Sequence, residues 1–260
     1  MICGMTYFQI CLYFLIYSFG GWVVEVIFHA VALGKVINRG FLNGPVCPVY
    51  GFGVLSVFAL LNTIQGSGRQ MSDGMIFVFG IVLATAVELV AGWLLDVCFH
   101  ARWWDYSNKK FNINGRICFT FSLFWGLLAL YLIRHFNPII DKLIDKIKAK
   151  VSINYLKALV IVGIIFLAID GILTAFALKL FFERTVYSYN LDVINKEKYI
   201  NSYERVLEME NTAELANKVF SDKKMLRTFP NLKLKAQDGE LIYMSSIYTD
   251  IQPYYYKFNF

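Results

Sequence analysis

Five long runs of apolar residues constrain this chain more than any other feature of its sequence. They cover approximately Tyr7–Leu33, Cys47–Ile64, Met75–Phe99, Ile117–Leu132 and Ala158–Phe182. A helix needs about 20 mostly apolar residues to cross the hydrocarbon core of a bilayer. The first run begins without a basic segment, so we interpret it as a retained span and not as a signal peptide. The sequence predicts an all-α transmembrane bundle of about five spans.

The composition agrees with this prediction. Hydrophobic residues make up 57% of the 260 residues and charged residues only 17%, with a mean hydropathy of +0.51. Typical soluble domains carry about 25% charged residues. We therefore expect a multi-pass protein of a cell membrane whose first partner is the lipid bilayer.

The chain changes character after residue 182. Residues 183–260 carry eleven acidic and eleven basic residues, so the net charge of +6 belongs to the membrane part. We therefore predict a transmembrane domain over residues 1–182 and a polar C-terminal region over 183–260. Basic residues beside spans usually meet lipid headgroups, and no basic–aromatic pattern indicates a nucleic-acid partner. The loops on the two sides carry nearly equal numbers of cations, which leaves the orientation open.

Acidic residues inside the apolar runs require an explanation. Glu25, Glu88 and Asp170 lie well inside runs, and Asp96 lies near the end of one. An ionised side chain at the centre of a bilayer costs about 2.5–3.5 kcal/mol on insertion scales. The candidate partners are cations of two loops that the span count places on one side of the membrane: Lys35, Arg39, Arg102 and Arg116.

The two loops have distinct compositions. The first, Asn38–Gly53, contains a Gly44-Pro45 turn signal, and its Arg39 suits a bidentate pair with Glu25. The second, Arg102–Arg116, interleaves charged and amide side chains with the aromatic residues of a membrane-interface belt. A capped turn would explain part of the first loop, and an aromatic belt would explain part of the second. A structured polar site would explain the polar residues that remain in both.

The loops and the acids together resemble a known family. The matching positions are Glu25, Asn38-Arg39-Gly40, Gly44-Pro45, Pro48, Tyr50-Gly51, Glu88, Trp104-Asp105-Tyr106, Asn112 and Gly115. This pattern resembles the bacterial permease family called "Putative ABC-transporter type IV", or CmpB, over about residues 5–135. The resemblance implies a multi-pass permease of the bacterial inner membrane and defines no substrate.

The intramembrane acids and the two loops also predict roles for individual residues. The expected polar-site residues are Glu25, Arg39, Glu88, Arg102, Asp105 and Asn112. The expected structural positions are Gly40, Gly44, Pro45, Pro48, Tyr50, Gly51, Trp104, Tyr106 and Gly115. We expect the two loop arginines to pair with or gate Glu25 and Glu88, and a cationic substrate to compete for the carboxylates. The sequence contains neither a C-x-x-C nor an H-E-x-x-H motif, and we expect no cofactor and no metal.

A permease of this type needs a source of energy. The sequence contains no G-x-x-x-x-G-K-[ST] motif for binding ATP, so the candidate partner is a separate ATPase subunit. The amphipathic connector Asn137–Lys148 either docks that subunit or lies on the membrane surface. A second copy of the chain is a further candidate partner.

Two other functional classes stay open. The pairs Glu25/His29 and Asp96/His100 repeat an i, i+4 spacing that could hold a metal or support acid–base chemistry in an intramembrane enzyme. No catalytic motif is readable, however. The third class is a membrane scaffold whose C-terminal region recruits a partner, in which the charged network only stabilises the fold.

Overall fold

The computed structural model describes residues 2–38, 40–68, 70–209, 214, 218–252 and 256–257. Arg39 lies outside the described residues, as does most of the aromatic end of the chain, Pro253–Tyr255 and residues 258–260. The fold is built almost entirely from long helices, which confirms the predicted all-α, multi-pass class.

Five helical segments are long and apolar enough to cross a membrane. They are α1 (Tyr7–Leu33), α2 (Pro48–Gly66), α3 (Asp73–Phe99), α4 (Phe119–Tyr131) with its continuation, and α6 (Ile153–Tyr189). A π-helical stretch, Leu132–Phe136, joins α4 to α5 (Asn137–Lys150). Pro48 stands in the first turn of α2, where the N–H group that proline lacks has no helical partner anyway.

The last long helix, α6, extends beyond the end of the last apolar run at Phe182. It continues to Tyr189 because its polar residues pack against the rest of the C-terminal region. Glu183, Arg184 and Thr185 are all buried, and Arg184 bonds both the carboxylate of Asp222 and the carbonyl oxygen of Phe220. These long-range partners are separated from α6 by more than 30 residues, so no local sequence pattern predicts them.

The chain divides into two compact units. The first comprises Met1–Gly21, Val46–Ala91 and Asp105–Ala168, and the second comprises Trp22–Pro45, Gly92–Trp104 and Ile169–Phe260. The boundary predicted between residues 182 and 183 is of another kind, because it separates the membrane part from the polar C-terminal region. That boundary stays a prediction.

The core of the first unit is formed by α1, α2, the start of α3 and the α4–α5 segment. Its buried members include Tyr17, Phe58, Leu61 and Ile76. At the α1–α2 crossing a Cβ atom on Gly51 would lie only 2.3 Å from Ser18 Oγ. The two helices therefore approach as closely as glycine allows.

The connector helix α5 lies beside the first turns of α1. Tyr17 donates a hydrogen bond to Asn137 Oδ1 at 2.9 Å, and Tyr13 donates to Asp141 Oδ1. Because the higher residue number on α1 meets the lower one on α5, the two helices are antiparallel. Ile144 is buried on this inner side. The connector thus has one face packed on the protein, while its role as a docking or surface helix stays a prediction.

The second unit has its own core around the end of α6. Phe181, Phe182, Met225, Leu234 and Met244 are almost completely buried there. Three further helices, α7 (Lys196–Leu207), α8 (Asp222–Thr228) and α9 (Met244–Ile247), belong to this unit.

Short strands of the second unit pair the C-terminal region with the segments that lead into the two loops. The strand β5 (Lys233–Lys235) pairs antiparallel with β2 (Ala101–Arg102) on one side and β6 (Leu241–Tyr243) on the other. A second small sheet pairs β1 (Lys35–Val36) with β7 (Tyr256–Lys257). Two short strands of the first unit, β3 (Asn112–Ile113) and β4 (Ile117–Cys118), form a hairpin.

Candidate functional site

The acidic residue Glu88 of α3 is the centre of a polar cluster in the first unit. Only 6% of Glu88 is exposed. The Tyr106 hydroxyl donates a hydrogen bond to Glu88 Oε1 at 3.0 Å, and the Trp125 indole N–H donates to Oε2 at 2.9 Å. Hydrogen bonds to an ionised acceptor are stronger than neutral ones, so these two donors stabilise the carboxylate.

Aromatic packing holds both donors in place. The Tyr106 ring stacks on Phe121 with ring centres 4.8 Å apart. The Trp125 ring meets Tyr50 edge to face, with centres 5.7 Å apart. Tyr50 and Tyr106 were expected as structural positions, whereas Trp125 and Phe121 were not singled out. An indole N–H that faces an acid on another helix has no signature in the local sequence.

The second loop is ordered by its own polar side chains. Asp105 accepts hydrogen bonds from the backbone N–H and the hydroxyl of Ser107, at 3.1 and 2.6 Å. Asn112 donates to the carbonyl oxygens of Ser107 and Lys109 and accepts from the Gly115 N–H. These bonds make Asp105 and Asn112 part of the loop framework that carries Tyr106.

A tight turn closes the same loop. Asn114 and Gly115 have φ values of 49° and 66°, and the Arg116 N–H donates to the Ile113 carbonyl oxygen at 3.0 Å. The hairpin loop between the paired residues Ile113 and Ile117 has three residues, and asparagine and glycine are the residues that most readily adopt positive φ values. The Gly115 carbonyl oxygen then accepts the Tyr106 N–H at 2.8 Å, so the turn supports the residue that binds Glu88.

The first loop is anchored to α6 in the second unit. The Gly44 N–H donates to Asp170 Oδ2 at 2.9 Å. Both the backbone N–H and the side-chain amide of Asn43 donate to Thr174 Oγ1, at 3.2 and 2.6 Å. Thr174 in turn lies 3.4 Å from Asp170 Oδ1. The intramembrane acid Asp170 therefore holds a loop, and its partner Thr174 stands four residues later on the same helix face.

The other expected structural positions of the first loop fall in both units. Gly40 and Pro45 belong to the second unit, and Gly40 has a φ of 121° that favours glycine. Pro48, Tyr50 and Gly51 belong to the first turn of α2 in the first unit.

The acid at the end of α3, Asp96, forms an ion pair with the C-terminal region. Lys235 Nζ lies 2.7 Å from Asp96 Oδ1, and only 6% of Asp96 is exposed. Of the cations proposed as partners, Lys35 and Arg102 lie on strands that pair with the C-terminal region, and Arg116 lies in the hairpin turn. Arg39 lies outside the described residues, so its pairing with Glu25 stays a prediction.

The two acid–histidine pairs differ in geometry. His29 Nδ1 lies 3.6 Å from Glu25 Oε2 and 2.8 Å from the Glu25 carbonyl oxygen. His100 Nε2 lies 3.2 Å from Asn195 Nδ2, while Asp96 binds Lys235. Within the described ranges, no group of three or more His, Cys, Asp or Glu side chains could hold a metal ion.

The expected site residues are thus distributed between the two units. Glu88, Asp105, Tyr106, Asn112 and Gly115 belong to the first unit and share one network. The second unit contains Glu25, Gly44, Arg102 and Trp104. The clearest constellation is therefore Glu88 with Tyr106 and Trp125.

Comparison with known proteins identifies the family. A family model described as "Putative ABC-transporter type IV" matches residues 12–175, more than half of the chain. Neither the curated proteins nor the solved structures gave a match. The match covers most of α1, all of α2 to α5 and most of α6, and with the five candidate spans it makes the chain a multi-pass membrane protein. The chain belongs to the "Putative ABC-transporter type IV" family.

Proposed function

We propose that this chain is the membrane-spanning permease subunit of an ABC-type transport system, and that Glu88 is the acidic group of its solute path. The observation that carries the proposal is the carboxylate of Glu88, buried in a span and held by Tyr106 and Trp125. Ionisable groups inside membrane spans are costly, and they commonly mark the path of a substrate or an ion.

The chemistry of the cluster favours a cationic solute. Tyr106 and Trp125 donate hydrogen bonds that stabilise the ionised form of Glu88, the form that attracts a cation. The rings of Tyr50, Tyr106 and Trp125 surround this part of the unit, and aromatic faces attract cations. A solute that carries an ammonium or guanidinium group would therefore gain from both the carboxylate and the rings. The loop arginines, in this proposal, compete with the solute for carboxylates.

The energy would come from a separate ATPase subunit. No ATP-binding P-loop is present in the sequence, and α5 carries a basic, amphipathic surface beyond the end of a span. We place the complex in the inner membrane of a bacterium, in one or more copies of this chain.

The test is uptake by the complete complex. The tagged chain is purified from its own membranes with any P-loop protein that accompanies it, and the complex is reconstituted in proteoliposomes. ATP-dependent uptake is measured by mass spectrometry against a pool of cationic, neutral and anionic metabolites. We expect uptake of a cationic compound in the native complex and its loss in Glu88→Gln.

The matched control is Asp238→Asn, which removes an exposed acid in the turn between β5 and β6. This variant should transport as the native complex does. Uptake that is unchanged in Glu88→Gln, with both variants folded by thermal unfolding, would refute the role of Glu88.

A membrane scaffold is the second candidate function, and it is favoured by one observation. The buried charged groups of the second unit, among them Asp96 and Asp170, are bonded by other parts of the same chain. In a scaffold, loss of the chain would disperse a membrane complex without changing the uptake of any solute. Blue native electrophoresis of membranes with and without the chain separates this outcome from transport.

A further inference from the structure

A cavity of about 500 Å³ lies at one end of the first unit, distant in sequence from the Glu88 cluster. It is lined by the last turns of α2, the connection to α3, the first turn of α3 and the π-helical stretch after α4. Connections between spans lie at a membrane surface. Arg134 stands 15 residues after the start of α4, about 23 Å along a helix, which places it near the same surface.

The lining of the cavity is divided into apolar and polar parts. Leu61, Ile76 and Ile133 supply apolar surface, and the first two are buried. Gln65, Gln70 and Arg134 supply hydrogen-bond donors. A volume of this size with an apolar floor and a few polar groups is typical of a ligand site. At a membrane surface, a phospholipid is the ligand that combines a polar headgroup with an apolar chain.

The guanidinium group of Arg134 is fixed in orientation. Its Nε and Nη2 atoms both lie 2.8 Å from Asp73 Oδ1, and Nη2 also donates to the Met71 carbonyl oxygen at 2.9 Å. The two N–H groups of Nη1 form no hydrogen bond with the described part of the chain. The bonds of Nε and Nη2 fix the orientation of these two N–H groups, which can therefore donate hydrogen bonds to an anion.

The charge around the cavity also favours an anion. Among the described residues that line the cavity, Arg134 is a cation and none is an acid, and the carboxylate of Asp73 lies beside that arginine. The segment that begins with Arg134 continues as α5, whose exposed lysines closest to Arg134 in sequence include Lys142 and Lys146. Such basic residues at the ends of spans attract anionic headgroups.

We infer that this cavity binds the phosphate headgroup of an anionic phospholipid, with Arg134 as the phosphate ligand and the apolar floor against the start of an acyl chain. The site is independent of the solute path proposed above. Its ligand would be a resident lipid that joins the ends of α2, α3 and α4.

The test uses the full chain in nanodiscs and a direct count of bound lipid. Native mass spectrometry compares phosphatidylglycerol with phosphatidylcholine for the wild-type chain, and thermal unfolding records the stabilisation that each lipid gives. We expect one tightly held phosphatidylglycerol per chain. Arg134→Gln should weaken this binding about fivefold or more, because each Lys or Arg contributes about that factor at a membrane surface.

Two further variants keep the test decisive if Arg134→Gln folds poorly. Gln65→Trp leaves Arg134 and Asp73 in place but fills the cavity from an exposed position of α2, and it should also release the lipid. Asp73→Asn removes the neighbouring carboxylate and keeps the guanidinium, so its lipid binding should equal or exceed that of the wild type. Lys150→Gln, at the far end of α5, should bind lipid as the wild type does.

Three results would overturn the inference. One is equal retention of phosphatidylcholine and phosphatidylglycerol, and another is unchanged binding in both Arg134→Gln and Gln65→Trp. The third is the same thermal stabilisation by inorganic phosphate in detergent, which would assign the site to free phosphate and not to a lipid.

Discussion

Lys235 and Asp96 join the C-terminal region to the end of the third long helix by an ion pair with an N–O distance of 2.7 Å. The two residues are 139 positions apart, and Asp96 is nearly buried. The pair stands next to the pairing of β2 with β5, so a charge contact and backbone hydrogen bonds hold the same two segments. The C-terminal region is thus part of the second unit and not a separate appendage.

Removal of the ammonium group should loosen this contact strongly. Lys235→Met would remove the ammonium group that pairs with the buried carboxylate of Asp96, and breaking one partner of a buried ion pair costs about 3–5 kcal/mol. Thermal unfolding in detergent should show this loss, and the Asp96→Asn/Lys235→Met double variant should recover most of it. The control is Lys148→Met at the exposed pair with Asp145, which should change stability by less than about 1 kcal/mol. A double variant no more stable than Lys235→Met would contradict the ion-pair explanation.

The spans were predictable because their signal is local. The bounds of the first apolar run, Tyr7–Leu33, are those of α1, since apolar content alone decides whether a helix can cross a bilayer. The last apolar run, Ala158–Phe182, lies inside α6, and the helix continues for seven residues beyond it, to Tyr189. Its last two turns are buried by residues such as Asp222 that lie far along the chain.

The site was predictable only in part, for a similar reason. The sequence identified Glu88 as an acid that requires partners, but Trp125 is 37 residues away on another helix. The Asn114-Gly115 pair, by contrast, is a local signal of a turn. Asp170 and Thr174 are four residues apart, and this spacing places them on one face of a helix. Whether Arg39 pairs with Glu25 stays a prediction.

Close packing of α1 on α2 should make Gly51 intolerant of any side chain. In Gly51→Ala the new Cβ would lie 2.3 Å from Ser18 Oγ and 2.7 Å from the Phe14 ring, so the helices must separate. Overpacking of this kind costs about 1–3 kcal/mol. The matched control is Gly53→Ala two residues later, where a Cβ meets no atom within 4 Å. It should be neutral or slightly stabilising, and equal effects of the two variants on the thermal midpoint would refute the packing argument.

Alkaline conditions should destabilise the second unit through Tyr248. Burial raises the pKa of its phenol, and Thr185 Oγ1 lies 2.8 Å from the Tyr248 oxygen. Since the folded state holds the proton more tightly than the unfolded state, its stability is complete below the unfolded pKa of about 10 and is lost as the pH rises above it. Tyr248→Phe should flatten this decline in thermal midpoint. The exposed Tyr243→Phe should leave it unchanged, and a decline that persists in Tyr248→Phe would assign the effect to another group.

The anchor of the first loop on α6 should depend on one hydroxyl group. Thr174 is fully buried, and its Oγ1 accepts both the backbone N–H and the side-chain amide of Asn43. Thr174→Val keeps the shape and leaves two donors of Asn43 unsatisfied, at a cost of about 1–3 kcal/mol for a buried group. Hydrogen exchange followed by mass spectrometry should show faster exchange at Asn43 and Gly44. Thr63→Val is the matched control, because its exposed hydroxyl bonds only the Ala59 carbonyl oxygen of its own helix. Exchange at Asn43 that stays as slow in Thr174→Val as in Thr63→Val would mean that Asp170 and the backbone hold the loop without this threonine.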